Sequence, residues 1–161
     1  MRINVKFKKT DPRALEPRHG TKRSAGYDVG ILIDNAPEFL DCGYEMIAPM
    51  ETKFFRSGLA MELPANHFAT LHARSSTLKR GLTVETSIID EDFVGEITIP
   101  VYNKSSNWIK VYDGERLAQL VVSEYKTIVW EETDQLHDTE RGCGAFGSTD
   151  RNGQIRTEKT I

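Results

Sequence analysis

Residues of like character recur at every second position along this chain far more often than at helical spacing, a rhythm that commits it to a β architecture. Ile3, Val5 and Phe7 alternate with polar neighbours, and the same period sets off Phe68, Thr70 and His72, then Ile97, Ile99 and Val101. Pro49, Pro64-Ala65-Asn66 and Gly81 punctuate other short runs. Asp113-Gly114 separates Trp108–Tyr112 from Leu117–Val122, which predicts a β-hairpin. No stretch of a dozen residues carries an amphipathic helix. A helical turn or two is expected at most, in Val84–Asp90 or near Arg74–Arg80. No internal repeat is present. The 161 residues fit one domain, and many short strands at close spacing predict an all-β sandwich or barrel. The pattern fades after about Glu131, so the expected plan is a β core over about 1–132 and a C-terminal arm over about 133–161. An extended arm from Thr133 to Thr149 spans roughly 55 Å, enough to touch a neighbouring subunit.

Charge narrows the function. A net charge of −3, with both signs spread along the chain, lacks the basic face of a nucleic-acid binder. The one basic cluster, Arg13 to Arg23, sits among Pro and Gly and reads as a solvated loop. No apolar run reaches membrane-spanning length, and the polar start lacks a secretory h-region. Cys42 and Cys143 are too few for a disulfide framework. The expectation is a cytoplasmic protein (host cytoplasm for a viral source) without nucleic-acid or membrane partners.

Five short stretches carry chemistry. RGCGAFGST at 141–149 joins Arg141, Gly142, Gly144, Phe146, Gly147, Ser148 and Thr149. Glycine backbone NH groups can wrap phosphate oxygens, the Arg fork can pair with them, and Phe146 can lie flat on a base. Ser148 stands where a P-loop lysine belongs and no helix follows, so this is not an ATPase loop. A flexible Gly-rich tail is the plainer reading. ARSS at 73–76 sets Arg74 beside Ser75 and Ser76, which suits phosphate oxygens or a solvated strand end. IIDEDFVGE at 88–96 places Asp90 directly after an apolar pair, where a carboxylate can take a proton from water; the alternative is a polar hairpin tip. AGYD at 25–28 and GERLAQLVV at 114–122 add Asp28 and Gln119. A serine triad from His72, Ser75 or Ser76, and Asp90 is disfavoured, because there is no nucleophile elbow.

In this order and spacing the five stretches resemble the motifs of trimeric dUTPases over nearly the whole chain, with SGLAMELP at 57–64 similar to the lead into the second motif. The resemblance implies a distorted jelly-roll β fold and a homotrimer with active sites at its subunit interfaces, each closed by the arm. It also implies Mg²⁺-assisted hydrolysis of dUTP to dUMP and pyrophosphate, which limits uracil in DNA and supplies dUMP for dTMP synthesis. Asp90 matches the catalytic aspartate that activates water. Phe93 matches the ring beneath deoxyribose. Arg74, Ser75, Ser76 and Gln119 match phosphate-side residues. Asp28 matches an acid that supports the metal through water. Arg141, Phe146, Gly147, Ser148 and Thr149 match the arm. Ser87, Ile88, Ile89 and Thr98 are carried over as further substrate-binding positions.

Several positions depart from the family pattern. Phe93 replaces a usual Tyr, Ser87 stands where Gly is common, and Ala145 and Asp150 replace arm glycines. Two alternatives share the fold. A dCTP deaminase, or a bifunctional deaminase/dUTPase, carries a glutamate where this chain has Pro100, which cannot transfer a proton. A non-catalytic nucleotide-sensing module would have no need of Asp90 and a complete arm.

Overall fold

The computed structural model describes residues 2–34, 43–139 and 142. Arg141, Phe146, Gly147, Ser148 and Thr149 lie outside the described residues, as do both cysteines. The chain divides into two units, Met1–Lys126 and Thr127–Ile161. Among the described residues of the second unit there is no helix or strand.

The first unit is a distorted jelly roll. Its strands are β1 (Lys6–Lys9), β2 (Arg18–His19), β3 (Tyr27–Gly30), β4 (Tyr44–Ile47), β5 (Thr52–Glu62), β6 (His67–Ala73), β7 (Leu82–Val84), β8 (Ile88–Ile89), β9 (Glu96–Asn103), β10 (Ile109–Tyr112) and β11 (Arg116–Glu124), with one short helix, α1 (Ser75–Lys79). One sheet runs β1-β5-β9-β7, a second runs β2-β3-β11-β6-β8, and β10 pairs with β4 in a ribbon. No described helix is long and apolar enough to cross a membrane.

The period-two rhythm places the core correctly on β9 but not on the other two rows: Ile3 and Phe7 are exposed, and on β6 Ala69 and Leu71 are buried while Phe68, Thr70 and His72 are only half-buried. On β9, Ile97, Ile99 and Val101 point inward and are buried, while Glu96 before them and Thr98 between them face out. They share one core with Val29, Leu71, Leu117, Ala118 and Leu120 of the other sheet and with Ile31 just past the end of β3. Asn103 ends the inward row and is fully buried. Its amide donates to the carbonyls of Ile47 at 3.0 Å and Asn107 at 2.7 Å, so its polar atoms have partners. Pro100 is tolerated inside β9 because its nitrogen faces the side where β7 stops after pairing Val84 with Val101. Its carbonyl accepts from the Glu85 NH at 2.9 Å on that side.

Two expectations are corrected. Asp113-Gly114 is a turn, but not a hairpin, since β10 pairs with β4 while β11 lies between β3 and β6. The turn is a corner between sheets. The Asp113 carboxylate accepts from the Ile33 NH at 2.7 Å, and Gly114 NH donates to Ile31 O at 2.8 Å. Those bonds point each arm toward a different neighbour. Val84–Asp90 forms no helical turn. Its β-branched residues instead supply the end of β7 and all of β8, and the helical turn falls only at Ser75–Lys79.

Candidate active site

The short connection from β8 to β9 holds the acidic stretch. Ile89 pairs with Ala69 on β6 and is buried, while Ile88 opposite Thr70 stays 67% exposed. The chain then turns, with Phe93 NH donating to Asp90 O at 3.1 Å. Glu91 is spent on structure, its carboxylate accepting from the Asn66 NH in the β5–β6 turn. Among the described residues no hydrogen bond or ion pair engages the side chains of Asp90 or Asp92. Of these two, Asp90 is the one that lines a cavity. Gly95 lets the neighbouring ring fold back, because a Cβ there would stand 2.7 Å from Phe93 Cζ.

The cavity, of about 260 Å³, brings together Ser87, Ile88, Ile89, Asp90, Phe93 and Thr98, six of the residues carried over from the family motifs. Glu96, Ile97 and Pro100 also line its wall. Phe54 does so too, although nothing in the sequence singled it out. Its ring sits on the outer face of β5, opposite Pro100 in register, and is 72% exposed. The arrangement is an open apolar slot with two phenyl rings, Phe54 and Phe93, and one unpaired carboxylate. Such a slot suits a flat heteroaromatic group with a sugar attached.

The phosphate-type residues assemble elsewhere on the same unit. Arg74 caps the start of α1 with extended backbone, leaving Ser75 and Ser76 exposed in the first turn. Thr77 fastens the helix, donating its hydroxyl to Leu117 O at 2.7 Å. Arg74 Nη2 bonds Asp28 Oδ2 at 2.9 Å, and Nη1 donates to Arg116 O at 2.7 Å. Arg116 in turn donates to Asp28 O at 2.6 Å. Burial, then the nearby Arg18, depresses the Arg116 guanidinium from its usual value. Gln119 lies between Asp28 on β3 and His72 on β6, and its Nε2 donates to Ala73 O at 3.1 Å. Gly26 makes room for that amide, since a Cβ there would stand 2.6 Å from Gln119 Oε1. Asp28, Arg74 and Gln119 thus form one cluster, and Asp28 serves it by fixing the guanidinium. His72 bonds Thr70 Oγ1 at 2.8 Å through Nε2.

The register of β6 separates cluster and cavity. Ile88 and Ile89 pair with Thr70 and Ala69, so Asp90 follows on beside Phe68, near the start of β6. Arg74 follows the end of the same strand, roughly 20 Å away by strand rise. Its guanidinium reaches Asp28 on β3, across β11 and away from β8. The triad of His72, Ser75 or Ser76, and Asp90 does not form, because Asp90 lies by the start of β6 while His72 and the serines lie at and beyond its other end.

Comparisons with known proteins converge on one family. A family model described as dUTPase matches residues 14–150. The deoxyuridine 5'-triphosphate nucleotidohydrolase of Nautilia profundicola is 34% identical over 150 residues, covering 91% of this chain and 99% of the relative. The protein of the same name from Rickettsia akari is 35% identical over 136 residues, covering 83% and 86%. A mutant dUTPase of Staphylococcus bacteriophage 80alpha with dUpNHpp shares the fold, with a TM-score of 0.77 at 22% identity over 91% of this chain and 98% of that one. A mutant dUTPase from phage phi11 of S. aureus, described with a structural Mg(II) ion, gives a TM-score of 0.69 at 18% identity over 84% and 100%.

Proposed function

The chain belongs to the dUTPase family and is a dUTP diphosphatase, and we propose that Asp90 drives its reaction by activating water in the cavity between β8 and β9. The observation that carries this reading is the exposed Asp90 carboxylate, unpaired among the described residues, in the same slot as Phe93, Ile88 and Thr98. The carboxylate takes a proton from water, the water oxygen bonds to the α-phosphorus, and the bond to the bridging oxygen breaks to release pyrophosphate. Phe93 packs beneath deoxyribose, leaving no room for a ribose 2′-OH, and Ser87 to Ile89 read the base.

Arg74, Ser75, Ser76 and Gln119 hold phosphate oxygens, joined by Arg141, Gly147, Ser148 and Thr149 of the arm, with Phe146 over uracil. We infer one catalytic unit built from a β core and a C-terminal arm. The distance along β6 supports a site shared between copies, with Asp90 from one chain and Arg74 from another in a homotrimer. Among the described residues no group of three or more His, Cys, Asp or Glu side chains could hold a metal. Asp28 is already paired with Arg74. These residues would fit a Mg²⁺ carried on the triphosphate and its waters, with Asp28 supporting that ion only indirectly, through water. When bound, that ion neutralises phosphate charge.

Nothing favours a deaminase. Pro100 occupies the cavity wall, and Glu96 beside it is tied up by Arg56. Pyrophosphate release measured with dUTP, dTTP, dCTP and UTP tests the reading: rapid release from dUTP alone is expected, and equal release from all four would end it. The exposed Phe54 ring gives a further expectation. Phe54→Ala should raise KM for dUTP by about five- to tenfold through lost ring contact while kcat stays within about twofold. An unchanged KM in steady-state kinetics would remove Phe54 from the substrate's surroundings.

A further inference from the structure

Glu96 puts a second carboxylate into the wall of the Asp90 cavity, and the hydrolytic step gives it no task. Bare negative charge there would repel a nucleotide's phosphates. Its oxygens are instead covered. Arg56 Nε and Nη2 donate to Oε1 and Oε2 at 3.0 and 3.1 Å, a bidentate fork. Thr10 Oγ1 adds a bond at 2.6 Å and the Gly58 NH another at 3.0 Å.

The fork exists because β5 falls out of step with β9. Arg56 pairs with Thr98 and Ala60 with Glu96, so the bulge over residues 57–59 swings the guanidinium alongside Glu96. Asp34 holds the far side of the guanidinium at 2.9 Å, and Asp11 stands 3.6 Å away, itself paired with Arg13 at 3.0 Å. Partial burial works against a charged Glu96, but the bonds from Arg56, Thr10 and Gly58 outweigh it and hold the carboxyl below its ordinary value. Glu96 is therefore an anion at neutral pH. Arg56 is the cation that bonds it directly, by two nitrogens, while also reaching Asp34.

We propose that Arg56 is a charge-compensating positioning residue, which cancels the Glu96 charge on the cavity wall and so keeps the cavity open to a phosphorylated nucleoside. The inference rests on reading this cavity as the nucleotide site. It sets apart two kinds of ligand. An uncharged nucleoside feels only the shape of the slot, whereas its phosphates feel the wall's charge.

The test compares wild type, R56M, E96Q and R56M/E96Q as full-length proteins, by calorimetry with deoxyuridine, dUMP and a non-hydrolysable dUTP analogue. R56M should weaken the dUTP analogue about tenfold and dUMP about fivefold, leaving deoxyuridine within about twofold. E96Q should bind both anionic ligands at least as tightly as wild type. The double variant should recover to within about threefold of wild type, because it removes the charge that R56M exposes. Equal weakening of deoxyuridine and dUMP in R56M, or a double variant no better than R56M, would reduce Arg56 to scaffolding. If R56M does not fold, E96Q decides alone, since weaker dUMP binding than wild type contradicts charge compensation. A wild-type chain that does not hydrolyse dUTP defeats the functional reading instead, whereas an active wild type with an unaltered R56M defeats only this inference.

Discussion

Asp90→Asn should lower kcat for dUTP by about a thousandfold while the nucleotide still binds, because a carboxamide fills the same space but cannot take a proton. The walls that would hold nucleoside are Phe93, Ile88, Thr98 and Phe54, and among the described residues no hydrogen bond or ion pair ties the Asp90 side chain to them. Its neighbours cannot stand in for it. Glu91 is pinned to the Asn66 NH, and Asp92 does not line the cavity. Single-turnover hydrolysis and calorimetric dUTP binding on the same protein separate the two effects. Turnover within tenfold of wild type would mean that another group activates the water. Loss of binding together with turnover would mean that Asp90 shapes the slot rather than acting in it.

Arg74→Ala is expected to cost about 10²- to 10³-fold in kcat/KM, the scale on which a preorganised donor to developing charge is felt. It should also lower thermal stability. Asp28 is only 13% exposed and bonded to the guanidinium at 2.9 Å, so removing Arg74 strands its carboxylate. Arg74→Lys should restore little. One ammonium cannot bond Asp28 Oδ2 and Arg116 O, 2.9 and 2.7 Å from separate nitrogens, and still face a phosphate. Steady-state kinetics with a parallel thermal melt checks both parts. An Ala variant within threefold of wild type would take Arg74 out of the phosphate site.

The inward row of β9 is legible in the sequence because burial of one face imposes a period of two on Ile97, Ile99 and Val101, whereas on β6 the alternation picks out Phe68, Thr70 and His72 while Ala69 and Leu71 are the buried residues. Pairing partners are not legible. Asp113-Gly114 announces a reversal, but the strands flanking it find their neighbours through long-range burial, and here they part into different sheets. The same limit hid part of the cavity. Ser87, Ile88, Ile89, Asp90, Phe93 and Thr98 are near one another in sequence, and the motif that spans them could be read. Phe54 and Arg56 come from β5, and only the register of β5 on β9 brings Phe54 to the cavity and Arg56 to Glu96 in its wall. Lys53-Phe54-Phe55-Arg56 reads locally as an ordinary strand, with Phe55 buried and Phe54 out. Glu96 reads as the end of a hairpin until its partners on Arg56, Thr10 and Gly58 are visible. The family resemblance makes Asp28 an acid near a metal, whereas the structure pairs it with Arg74. A cation that far along the chain leaves no trace in the local sequence.

Mixing subunits tests most directly whether a working site draws Asp90 and Arg74 from different copies. D90N and R74A proteins, each nearly inactive alone, are unfolded together, reassembled and assayed with dUTP. In a random mixture about a quarter of the sites receive both wild-type residues, so roughly a quarter of wild-type activity should return. If mixed assemblies form, as a tag on one variant would show, and activity stays at the level of either parent, each site takes both residues from one chain. The separation along β6 would then have to close by some other route, and the shared-site reading fails.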